Sequence, residues 1–107
     1  MLTLKLNPTL QDYQNYVREL ENERGFSDQS ARDKCLLLGE EIGELFKSIR
    51  KAEGLSIDKN SNFKSIADEI ADIFIYICSI ANRYGIDMEA AFKQKEEQNK
   101  NRTWNSV

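Results

Sequence analysis

Two stretches of this chain carry acids in the same frame, EEIGELF at 40–46 and DEIADIF at 68–74. Each sets two carboxylates three residues apart, Glu41 and Glu44 in the first, Glu69 and Asp72 in the second. On a helix, residues at that spacing lie about 60° apart around the axis and face one side. Glu41 borders the apolar stripe Leu38, Ile42, Leu45 and Ile49, and Glu69 stands beside Ile66, Ile70 and Ile73. Each helix therefore presents its acids at a core margin. A single pair of this kind is ordinary on a solvated helix face. Two pairs in matched apolar frames are not ordinary. If the two helices pack antiparallel, the four carboxylates meet, and Gly43 and Ala71 let the backbones approach.

Carboxylates brought together repel one another and lose water, so they demand either raised pKa values or a cation. The chain contains no His. An oxygen-only donor set suits a hard dication such as Mg²⁺, Mn²⁺ or Ca²⁺. Four protein carboxylates leave coordination positions free, and Mg²⁺ commonly fills these with water and phosphate oxygens. The expected chemistry is a divalent-metal site beside a cleft that takes a phosphorylated ligand. A third group complements it. In KEEQNKNRTW, 95–104, Lys95, Asn99 and Arg102 are spaced four and three apart and line one helix face. Lys and Arg donate to phosphate. Trp104 offers a stacking surface or a core anchor, and Phe26, Tyr84 and Tyr13 are further aromatic candidates.

Four helices must position these groups, with no competing strand signal. The first is expected over about 8–24, capped by Asn7 with Pro8 in its first turn, and stopped by Gly25. The second, capped by Ser27 or Asp28, is expected to reach about Ala52 before Gly54. Residues 55–62, LSIDKNSN, read as a loop. The third is expected from near Asn62 to Tyr84, and the fourth, capped by Asp87, over about 88–101. Helix three is apolar nearly all round, with Ile66, Ile70, Ile73 and Ile77 on one stripe and Ile75 and Cys78 on another side. In a chain of 107 residues the second cover for such a helix is expected to be another subunit, giving a homodimer or homotetramer.

Composition narrows the function further. The length fits one domain, 1–107, and the mixed charges sum to only −3. No basic stripe tracks a phosphate backbone, so duplex nucleic acid is not an expected partner. The longest apolar run, IFIYICSIA at 73–81, is too short to span a bilayer, and a cytoplasmic location is the expectation. Cys35 and Cys78 lie in apolar stretches and read as buried hydrophobes. The missing His excludes a Ser-His-Asp triad, a Cys-His nucleophile and the Glu-x-x-His pairs of di-iron bundles.

Taken together these residues resemble the MazG-like, all-α nucleoside triphosphate pyrophosphohydrolases, a superfamily that includes dCTP pyrophosphatases, dimeric dUTPases and phosphoribosyl-ATP pyrophosphohydrolases. The pattern EExxE then ExxD reads here as Glu40-Glu41-Ile42-Gly43-Glu44 and Glu69-Ile70-Ala71-Asp72. The flanks GEEIGELFKSIRK and IADEIADIFIYI, the upstream ERGF at 23–26 and the trailing Lys95, Asn99 and Arg102 are also similar, over roughly 10–104. The stretch 54–62 separates the motifs widely by comparison. The resemblance implies a four-helix-bundle-like fold in an intertwined homodimer, sometimes a dimer of dimers. It implies Mg²⁺-dependent (or Mn²⁺-dependent) hydrolysis of an NTP or dNTP to the monophosphate and pyrophosphate, as nucleotide-pool housecleaning. Glu41, Glu44, Glu69 and Asp72 would be metal ligands, and Lys95, Asn99 and Arg102 would hold phosphates. Glu40 and Glu44 are the catalytic candidates: Glu40 would either support the ligands from behind or orient water, and Glu44 or Glu41 would orient the attacking water. The alternatives are a non-catalytic helical module that binds metal or nucleotide or dimerises, and a plain helical bundle with no ligand.

Overall fold

The computed structural model describes residues 2–55 and 65–103. Four α-helices account for it: α1 Leu10–Arg24, α2 Ala31–Ala52, α3 Ile66–Arg83 and α4 Met88–Lys100. The all-α, four-helix class expected from the sequence is what forms, and no strand occurs among the described residues. Asp87 caps α4 as anticipated.

Two caps fall later than expected, for the same reason. Thr9, not Asn7, caps α1: its Oγ1 accepts from the Asp12 N–H at 3.2 Å, and its own N–H donates to Asp12 Oδ2 at 2.9 Å. Ser30, not Ser27 or Asp28, caps α2 through the same reciprocal pair with Asp33, at 3.1 and 2.9 Å. A hydroxyl residue followed three positions later by an acid satisfies two orphan N–H groups at once, and a lone Asn or Asp satisfies one. The third helix begins at Ile66 behind the Ser65 cap. Asn62, its expected start, and Trp104 lie outside the described residues.

The largest helix contact is between α2 and α3; α1 packs on α3, and α4 on α1. Lys34 of α2 stands near Tyr76 of α3, whereas Glu41, seven residues on, meets Glu69 and Asp72. Rising numbers on one helix meet falling numbers on the other, so α2 and α3 run antiparallel, as the acids require. The core is small: Val17, Leu20 and Cys78 are buried, with Leu2, Tyr13, Tyr16, Phe74 and Met88 packed against them. The Tyr13 and Phe74 rings meet edge to face at 5.4 Å. Burial pushes the Cys78 thiol up to about 11, which makes it an inert hydrophobe. Cys35, by contrast, is exposed rather than buried. It sits on α2's outer side, next to Leu36, which is also exposed.

Much of the expected apolar surface is open. Ile66, Ile70 and Ile77 of α3 and Ile42, Phe46 and Ile49 of α2 are all exposed, with Ile70 at 55% and Phe46 at 62%. The radius of gyration, 16.9 Å, exceeds the ~13 Å of a compact monomer of this length.

Polar residues do much of the remaining fastening. Buried Gln14 donates to Asn82 Oδ1 at 3.1 Å and to the Ile86 carbonyl at 2.8 Å, and its Oε1 accepts from the Met88 N–H at 3.0 Å. That one side chain ties α1 to the α3–α4 turn. Arg83 binds both oxygens of Glu21, at 3.0 and 2.8 Å. It also donates to Ser79 Oγ and to the carbonyls of Gln29 and Phe26. The α1–α2 turn is thereby fixed onto α3. Burial alone would raise the Glu21 carboxyl, but hydrogen bonds from Arg83 and Ser79 and the charges of Arg83 and Lys34 outweigh it and hold it below 4.5.

Arg83→Met should therefore lower the unfolding free energy by about 3 kcal/mol near neutral pH, measured by urea denaturation, because it removes the two-pronged partner of the buried Glu21 and leaves it the more distant Lys34, at 3.4 Å. Ionised Glu21 stabilises the fold above its unfolded pKa, and that contribution is lost as pH falls through the lower folded value. The gap between wild type and variant should narrow on acidification below about pH 4.5.

Candidate metal centre

Antiparallel packing of α2 on α3 brings together oxygens of Glu41, Glu69 and Asp72, all within 4.8 Å of one another. Glu41 and Asp72 are half-buried, and Glu69 has no exposed surface at all. Neither Glu69 oxygen accepts a hydrogen bond from any described residue. An isolated carboxylate in that position costs several kcal/mol unless a positive group meets it. Glu69 and Asp72 share one face of α3. The expected close approach of the backbones at Gly43 does not occur, because nothing lies within 4 Å of where its Cβ would stand.

The donor set fits a hard dication. It offers carboxylate oxygens, and neither a thiolate nor an imidazole stands in the cluster. The two other acids of the motifs behave differently. Glu44, one turn beyond Glu41, is half-buried and stands outside the trio, and Glu40 is exposed. Three of the four expected ligands are thus gathered within one chain. On α4, Lys95 is exposed and Asn99 half-buried; beyond its end, exposed Arg102 donates to Asn99 Oδ1 at 3.5 Å. The main packing of α4 is on α1, and none of these three residues lines the pocket beside the acids.

That pocket has a volume of about 170 Å³ and shares Asp72 with the trio. Its walls include Phe26 and Tyr76, and its floor holds Glu21 and Lys34. Lys34 is 4% exposed, and its ammonium lies 3.4 Å from Glu21 Oε2. It also lies 5.0 Å from the centre of the Phe26 ring and 5.6 Å from that of Tyr76. Of the aromatic residues singled out from the sequence, Phe26 reaches this pocket, Tyr13 is in the core and Tyr84 is exposed. Glu21, Lys34, Tyr76 and Arg83 escaped the sequence reading. The available signal was Lys34 itself: seven residues before Glu41, it falls on the same face of α2.

The model of the MazG nucleotide pyrophosphohydrolase domain matches residues 29–105. This chain belongs to that family. Two crystal structures of iMazG from Vibrio DAT 722 are similar to this MazG domain. The C-terminally tagged form is 29% identical with a TM-score of 0.64, over 86% of this chain and 98% of that one. The N-terminally tagged form is 30% identical with a TM-score of 0.64, over 88% and 99%. No curated protein matches the chain. No helix among the described residues is long and apolar enough to cross a membrane.

A dication that binds the trio should add stability by mass action, about 2.7 kcal/mol at a hundred times its Kd. Glu69→Gln removes the buried charge. The variant should melt higher than wild type in chelator and lose the Mg²⁺-dependent rise, as read by calorimetry across a Mg²⁺ titration.

Proposed function

We propose that this MazG domain is a Mg²⁺-dependent nucleoside triphosphate pyrophosphohydrolase, cleaving an NTP or dNTP to the monophosphate and pyrophosphate. The observation that carries the reading is Glu69, fully buried with two unsatisfied oxygens between Glu41 and Asp72. Family membership supplies the reaction class. Glu41, Glu69 and Asp72 would hold the ion, with Glu44 as the fourth ligand from the adjacent turn. Mg²⁺ in such a site, or Mn²⁺ in its place, neutralises phosphate oxygens and makes water a better nucleophile. Glu44 accepts the proton of the attacking water, and Glu40, beside Glu41 in the chain, orients that water. In-line attack falls at the α-phosphorus and releases pyrophosphate. Lys95, Asn99 and Arg102 bind the β- and γ-phosphates and offset the charge that gathers on the leaving group. Housecleaning of the nucleotide pool, in the cytoplasm, is the role that follows.

The functional unit is a homodimer or a dimer of dimers. The open apolar face of α2 and α3 supports this, because a continuous patch of that kind marks an interface. A second copy laid on it covers Ile42, Phe46, Ile66 and Ile70.

A panel of NTPs and dNTPs, assayed for pyrophosphate with and without Mg²⁺, tests the reaction. At least one should yield a monophosphate and pyrophosphate in equal amounts, and Glu41→Gln should lower that rate roughly 100-fold. Nucleotide binding with no product from any member would leave the non-catalytic module in its place. Sedimentation equilibrium tests the assembly: wild type should run as a dimer or tetramer and Ile70→Lys as a smaller species.

A further inference from the structure

We infer that Lys34 reads the base of the nucleotide, donating a hydrogen bond to a ring carbonyl and so favouring oxo-bearing bases over adenine; this rests on the pyrophosphohydrolase reading. Four observations converge on the residue. First, the pocket adjoins the acidic trio through Asp72, so a ligand with its phosphates on the acids has its other end there. Secondly, Lys34 precedes Glu41 by seven residues, or ~10 Å along the axis of α2. That is the span between the phosphate and base ends of a nucleotide lying along the groove. Thirdly, Phe26 and Tyr76 give the pocket aromatic walls suited to a flat heteroaromatic ring.

The fourth observation concerns the ammonium itself. Lys34 is almost wholly buried and carries three donors. Its distance to Glu21, 3.4 Å, is longer than a charge-assisted hydrogen bond. Glu21 in turn is bound through both oxygens by Arg83, at 3.0 and 2.8 Å. Glu21 is therefore committed to the fold, and Lys34 retains donor capacity at the floor of the pocket. A carbonyl oxygen, with two lone pairs, is the natural acceptor. Uracil, thymine, guanine and cytosine each present one. Adenine presents only ring nitrogens, and its exocyclic amino group turns N–H toward a donor. Adenine carries this amino group at the ring position where guanine carries its oxygen, so a donor set against that oxygen meets N–H instead, and the mismatch penalises adenine although its ring nitrogens accept elsewhere.

The test uses the full chain in Mg²⁺ and isothermal calorimetry with UMP, GMP and AMP, so the readout does not depend on turnover. Wild type should bind UMP and GMP at least about tenfold more tightly than AMP. Lys34→Met keeps the aliphatic stem and removes the donors. It should lose that preference by weakening UMP and GMP while AMP changes less than about threefold, and Lys34→Arg should retain it. A wild type that binds all three alike, or binds none, overturns the inference; so does a Lys34→Met chain that keeps the preference. The wild-type comparison stands alone if the variant fails to fold. A Lys34-dependent preference in a protein that releases no pyrophosphate from any triphosphate would uphold base reading by Lys34 and remove the catalytic reading.

Discussion

A carboxylate with no exposed surface and no hydrogen bond from any described residue is the constraint on which this structure turns. Glu69 occupies that position at the seam of α2 and α3, with two more acids within 4.8 Å. Hydrophobic burial cannot account for it, because a well-packed apolar residue would serve stability better there. The seam tolerates the charge only if something positive completes it. Like charges repel, so an anionic ligand approaches three clustered acids only through a positive group. Stability and chemistry thus make the same demand on one site.

A second ionic arrangement works in the opposite way. Around Arg83 every charge is met: Glu21 through both oxygens, Ser79 through its hydroxyl, and the turn through two carbonyls. This cluster fixes the wall of the pocket that contains Phe26, and it leaves Lys34 facing the space beyond. The fold places a hydrogen-bonded network between α1 and α3 and a buried carboxylate between α2 and α3, the two sharing α3. The hydrogen-bonded network fixes the pocket's shape.

The hydrophobic surface is divided in the same spirit. Val17, Leu20 and Cys78 make a core too small for a chain of this length to rely on alone, and isoleucines of α2 and α3 remain open. These open residues are the very ones that carry the apolar frame around each acidic pair. Whatever covers them also presses on the backbones that carry the acids.

The sequence alone determined the four helices, the antiparallel pairing of the two acidic motifs and the oxygen-only character of their site. Those follow from local periodicity and residue chemistry, which are written along the chain. It misled on the caps of α1 and α2, where Thr9 with Asp12 and Ser30 with Asp33 close reciprocal pairs that outweigh a single Asn or Asp. Only the tertiary structure decided which acids meet. Glu41, Glu69 and Asp72 converge while Glu44 stands outside the trio, although the step from Glu41 to Glu44 equals that from Glu69 to Asp72. It also decided that Glu21, Lys34 and Arg83, unremarkable charges separated by up to 62 positions, form a buried network at the edge of the site. No local pattern encodes that meeting, since it depends on where three helices happen to cross.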